Sequence, residues 1–122
     1  MPLRYLIDEN LRGPFWTAMV QANSERALPI EIACIGEYGA PRLASLDTDI
    51  LIWAEQQGYV VVSGDVKTMP DTLARHLRNG RHLPGIFLIH LPGSIPQLME
   101  ALLYYATESE EDEWRDALVH IP

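Results

Sequence analysis

A length of 122 residues suits one domain with a core that needs no disulfide or metal staple, and a 48% hydrophobic fraction excludes a disordered chain. Nine basic against seventeen acidic residues leave a formal net charge of −8, which argues against a general nucleic-acid binder with a basic surface. Cys34 is the only cysteine, so an internal disulfide and a CxxC-type metal motif are both excluded, and a reducing, cytoplasmic setting is expected.

Residues 3–7 form a compact, mostly apolar run that Asp8, Glu9 and Asn10 terminate, the pattern of a short buried strand. The same acids interrupt the apolar start, so no leader is expected, and no apolar run reaches the length of a membrane span. Pro14 then opens a helix that ends near Asn23, with Phe15, Ala18 and Met19 at helical spacing. "IEIACIG", residues 30–36, is the second predicted strand and carries Cys34 into the core; "EYGAPRLAS" reads as a loop.

Asp47 as N-cap and Gly58 as the left-handed stop bracket a second helix. "YVVVSGD" comes next, and its three consecutive valines suit a strand covered on both faces, as in parallel sheets. "DTLARHLRNG" predicts a helix with Leu73, Ala74 and Leu77 inward. "GIFLIHL" is a further apolar strand in which His90 is expected as a satisfied core residue. Ser94 caps a last helix with Leu98, Ala101, Leu102 and Tyr105 along its apolar stripe. Residues 108–116, "ESEEDEWRD", hold six acids and one arginine; a solvated segment is expected, a contact for a basic partner being the alternative. "WRDALVHIP" predicts a short edge strand or a packed tail. Trp16, Trp53 and Trp114 are expected to pack rather than to stack on bases.

Strands alternating with helices predict a three-layer α/β/α sandwich around a mostly parallel sheet, one domain over residues 1–122. Ligands in such sheets bind beyond the carboxyl ends of the strands, near the topological switch point. Asp8 ends the first strand and Asp65 the third, while Asp47 opens the helix that leads into the third. All three then share one rim. Converging carboxylates raise each other's pKa and invite a cation; a hard divalent ion held by them can activate water and assist displacement at phosphorus. Each residue also has a plainer reading: Asp47 as a cap, Asp65 as turn chemistry, Glu9 pointing into solvent, Asn10 closing the next turn.

"LIDENL" together with the later "LDTDILIWAEQQGYVVVSGD" resembles the small PIN-like domain family described as toxin components of bacterial toxin–antitoxin pairs. That family has an "LLDENL"-like segment and then "ASDEEIL..A...GRVLVT.D.DF". Residues 44–51 are similar to the start of its second segment with one residue inserted, and Ala54, Gly58, Val60, Val61, Val62 and Asp65 are similar to the remainder of that segment. The resemblance covers residues 3–65, more weakly to about Leu91. It implies a PIN-like fold and a Mg²⁺- or Mn²⁺-dependent ribonuclease site of Asp8, Asp47 and Asp65, with Asn10 at the polar position after the acids and Asp49 as the substitute for Asp47. It also implies RNA as substrate and an antitoxin protein as partner; a homodimer is left open. The chain departs from the family where Lys67 and Thr68 replace an acid and an aromatic. Lys67 either competes with a metal ion for the carboxylates or meets a phosphate as a point charge.

Lys67, Arg75, His76, Arg78, Arg81 and His82 fall close together, and Arg75 and Arg78 share a helix face. They form either a path for an RNA backbone or a solvated face. Three functions are thereby set against one another: a metal-dependent endoribonuclease, a catalytically degenerate PIN-like binding module, and a phospho-receiver. The receiver is disfavoured because it needs a lysine late in the sheet and the only lysine is Lys67.

Overall fold

In the computed structural model, which describes residues 2–91 and 93–121, every strand is parallel to its neighbours and the sheet order is β2-β1-β3-β4-β5. The strands are β1 (Tyr5–Ile7), β2 (Ile32–Cys34), β3 (Val60–Ser63), β4 (Ile86–Ile89) and β5 (Leu118–Ile121). Between them run the helices α1 (Pro14–Ser24), α2 (Asp47–Gln57), α3 (Met69–Arg78) and α4 (Ile95–Glu108), with a 3-10 turn at Glu9–Leu11. The predicted strand–helix alternation is observed, and the last strand forms: β5 pairs with β4 as a parallel edge strand. Pro122, at the end of that predicted segment, lies outside the described residues.

Successive residues of a strand point to opposite faces, so a parallel sheet carrying apolar runs needs a cover on each side. Tyr5, Ile7, Val60, Val62, Phe87, Ile89 and Ile121 pack in one cluster with residues of α1 and α4. Leu6, Val61, Ile86 and Leu88 pack in the other with residues of α2 and α3. The result is the predicted three-layer sandwich. Among the described residues no helix is long and apolar enough to cross a membrane.

Three local expectations change. Leu46, not Asp47, is the N-cap of α2, and Asp47 stands one residue inside, in the first turn. Gly58 does stop that helix in the left-handed conformation, at φ 79°. His90 is not a core residue: β4 ends at Ile89, and His90 beyond it is exposed. The acidic stretch, too, is more than a solvated segment. Helix α4 runs into it as far as Glu108, and Trp114 packs against Phe87 and Tyr105 while its indole N–H donates to Ser109 Oγ at 2.9 Å. Its Glu and Asp side chains from Glu110 to Glu113 stay exposed.

Phe87 is fully buried at the centre of an aromatic group with Tyr5, Tyr105 and Trp114, which ties β1, β4, α4 and the approach to β5 together. Phe87→Ala is expected to cost about 3–5 kcal/mol of unfolding free energy, measured by urea denaturation. A loss below about 1 kcal/mol would mean that this group is not central to the core.

Candidate functional site

The order β2-β1-β3 places the switch point between β1 and β3, because the chain leaves β1 toward one edge and later returns on its other side. The two strands are held together up to their carboxyl ends: the Asp8 N–H donates to the Val62 carbonyl at 2.8 Å. The first residues beyond both strands therefore meet at one crevice. An open cleft of about 350 Å³ lies there, lined by Asp8, Glu9, Asn10, Ser45, Asp47, Ile50 and Asp65. The three acids singled out from the sequence thus line one cleft together with Asn10.

Asp8 is 5% exposed. Its Oδ1 accepts the Glu9 N–H at 2.8 Å, capping the 3-10 turn. Its Oδ2 accepts from Ser63 Oγ at 2.7 Å and from Asn10 Nδ2 at 3.3 Å. Burial raises its pKa above the ordinary carboxylate value; the bonds from Ser63 and Glu9 oppose that shift, and the charges of Asp47 and Asp65 add to it. Asp8 therefore senses both other acids, although they lie far away in sequence.

Asn10 works as a brace. Its amide donates to Asp8, and its Oδ1 accepts the Gly64 N–H at 2.9 Å. A side chain at Gly64 would press on Asn10 Oδ1 at 3.3 Å, so the small residue lets this contact form. Ser63, the fully buried last residue of β3, joins the group: its hydroxyl donates to Asp8 and accepts the Asp65 N–H at 3.0 Å. Ser63 was not among the residues expected at the site. The available signal was a lone hydroxyl closing an all-valine strand, where a buried polar atom needs a partner.

Asp65 is held differently. Its Oδ1 accepts the N–H groups of Lys67 and Thr68 at 3.2 and 3.0 Å, and its Oδ2 accepts from the Thr68 hydroxyl. These bonds, from Thr68 first, keep its pKa below the usual value, with the Lys67 charge a smaller contribution. The turn reading of Asp65 is thereby realised alongside its place in the cleft. Glu9 is exposed but not idle, since its Oε1 accepts the Ala44 N–H at 2.7 Å. Ala44 has φ 62°, a left-handed conformation that costs a non-glycine residue energy, and Glu9 helps hold it.

The basic residues are distributed otherwise than a continuous path would require. Lys67 is exposed, and its backbone N–H donates to the Asp65 carboxylate, but it is not among the residues that line the cleft. Arg75 and Arg78 are exposed in the last turn of α3, about 9 and 14 Å along the helix axis from Met69, and line no part of the cleft. Arg81 pairs with Glu55 at 3.2 Å. His76 is buried, with Nε2 2.8 Å from the His82 carbonyl, and His82 Nδ1 meets Asp116 at 2.7 Å. Half of the expected patch is consumed in internal contacts.

No family model, no curated protein and no solved structure matches this chain. Among the described residues, no three His, Cys, Asp or Glu side chains stand in an arrangement ready to hold a metal ion. Carboxylate oxygens are the ligands that hard cations prefer, and the charges of Asp47 and Asp65 add to the raised pKa of Asp8.

Because the folded-state pKa of Asp8 is raised, the native state holds this proton more tightly than the unfolded chain does. The resulting stabilisation is fully present below the ordinary carboxylate pKa and is lost as pH rises through the raised value. In Asp8→Asn it is absent. The stability of Asp8→Asn relative to the native sequence should therefore increase as pH rises from about 4 and level off above the folded pKa. Urea unfolding of both proteins across that range measures it; a difference that does not vary with pH would contradict the buried, charge-coupled Asp8.

Proposed function

We propose that the chain is a PIN-like, divalent-metal-dependent ribonuclease, with Asp8, Asp47 and Asp65 as its acids. The observation that carries this reading is their common cleft at the switch point, where Asp8 is electrostatically coupled to the other two. Asp8, Asp47 and Asp65 would hold Mg²⁺ or Mn²⁺, which when bound lowers the pKa of water and polarises a phosphate oxygen. Asn10 and Ser63 fix the orientation of Asp8, so that a ligand meets a carboxylate already in place. Lys67, exposed two residues after Asp65, would offer its ammonium to a phosphate oxygen of the backbone. An acidic cleft repels the RNA backbone by itself, so the cation is also what makes the approach of substrate favourable. An antitoxin protein as partner and a toxin role rest on the PIN-like resemblance and belong to the same proposal.

A second reading has its own support. Both oxygens of Asp65 are occupied by the turn into α3, and Lys67 supplies a positive charge where the resembled family carries an acid. A chain that uses Asp65 as a cap is a binding module of the same architecture without the metal.

Mn²⁺ titration combined with cleavage of single-stranded RNA separates the two. The ribonuclease reading expects Mn²⁺ binding that Asp8→Asn abolishes, and cleavage that falls by more than about 100-fold in Asp8→Asn and in Asp47→Asn. An absence of Mn²⁺ binding by the native sequence supports the binding module. Cleavage that persists after Asp8 and Asp65 are both replaced would overturn the acidic site.

A further inference from the structure

At the other end of the same rim, His90 and His120 come together. His90 directly follows β4, and His120 lies in the edge strand β5 in register with Leu88. His90 is two residues beyond Leu88, so both imidazoles rise from the same face of the sheet. Their ring centroids are 4.9 Å apart with 27° between planes, so the rings meet edge to edge, nearly coplanar. His90 Nε2 and His120 Nδ1 are 2.6 Å apart, and both residues are exposed.

We propose that this pair is a binding site for a borderline divalent transition metal, Zn²⁺ being the representative ion, separate from the acidic cleft. An N···N approach this short requires one ring to donate its proton to the lone pair of the other, so the two nitrogens are aimed at a common point. A metal ion takes the place of that proton. The donor ring moves its proton to its other nitrogen, both rings stay neutral, and both present lone pairs to the ion. With Zn–N distances of about 2.0–2.1 Å and a tetrahedral angle, the nitrogens need to stand about 3.3 Å apart. Exposed rings reach that separation by small rotations about their side-chain bonds. Among the described residues no third His, Cys, Asp or Glu completes a cluster here, so water fills the remaining positions.

Imidazole ligands select Zn²⁺, Cu²⁺ and Ni²⁺ and give no advantage to Mg²⁺, whereas the carboxylates of the cleft prefer the hard ions. The ion would bridge β4 to β5, strands joined in sequence only through α4 and the acidic turns. Since the two histidines come together only in the folded chain, binding would fasten the edge strand.

The test uses the full chain, stripped with EDTA and then held in excess Mg²⁺ while Zn²⁺ is titrated calorimetrically. His90→Gln and His120→Gln replace exposed side chains, and thermal unfolding in EDTA checks that both variants fold like the native sequence. The native sequence is expected to bind one equivalent of Zn²⁺ that each variant loses or binds at least about tenfold more weakly. It should also melt about 3–6 °C higher with Zn²⁺, a shift absent from both variants. Equal stoichiometry and affinity in all three proteins, or a Zn²⁺-dependent rise kept by the variants, would overturn the proposal by assigning the metal to other ligands.

Discussion

The constraint on which this structure rests is the change of direction of the chain between β1 and β3. Strands this apolar must be covered on both faces, and four helices divided as α1 with α4 and α2 with α3 accomplish it. Placing helices on both faces requires the chain to move first toward one edge of the sheet and then toward the other. The connections therefore diverge at β1 and β3, and a crevice opens above their carboxyl ends. Asp8 is the first residue past β1, and Ser63 the last of β3. Their hydrogen bond closes the floor of that crevice.

Carboxylates gathered there repel one another, and the chain compensates with dipoles more than with cations. Asp8 accepts a backbone N–H, a hydroxyl and an amide; Asp65 accepts two backbone N–H groups and a hydroxyl. Asp47 sits in the first turn of α2, where the helix dipole favours negative charge. The same groups that position the acids thus reduce the free energy of holding them together. The compensation is uneven: Asp65 is left a stronger acid than usual, while burial leaves Asp8 a weaker one.

The rest of the molecule secures this rim from a distance. Tyr5 donates its buried hydroxyl to the Leu102 carbonyl at 2.6 Å, locking β1 to α4, and Phe87 continues the contact to Tyr105 and Trp114. Asp116, at φ 61°, turns the chain from the acidic stretch into β5, its carboxylate bonded to the Leu83 N–H and facing His82. Arg81 pairs with Glu55, and His82 Nδ1 meets Asp116, so these two contacts join α2, the segment after α3 and the approach to β5.

Much of this was legible in the sequence because it depends on local periodicity. The three valines of β3 announced a doubly covered strand, and the alternation of strands and helices announced the parallel sandwich. That logic also brought Asp8, Asp47 and Asp65 to one rim, since parallel strands end on the same side. What the chain order does not encode is which groups each side chain meets. Ser63 became a partner of Asp8 only because β1 and β3 are neighbours, a matter of strand order rather than of spacing. His90 read as core because it follows four apolar residues, yet β4 stops one residue earlier and leaves it facing His120. Arg75 and Arg78 share a helix face as expected, but α3 carries them away from the cleft by its rise. Sequence determined the elements and their directions, because these follow from backbone and burial preferences over a few residues. Tertiary structure alone decided the contacts, because hydrogen bonds and charge coupling fall off within a few ångströms and join residues that the chain keeps far apart.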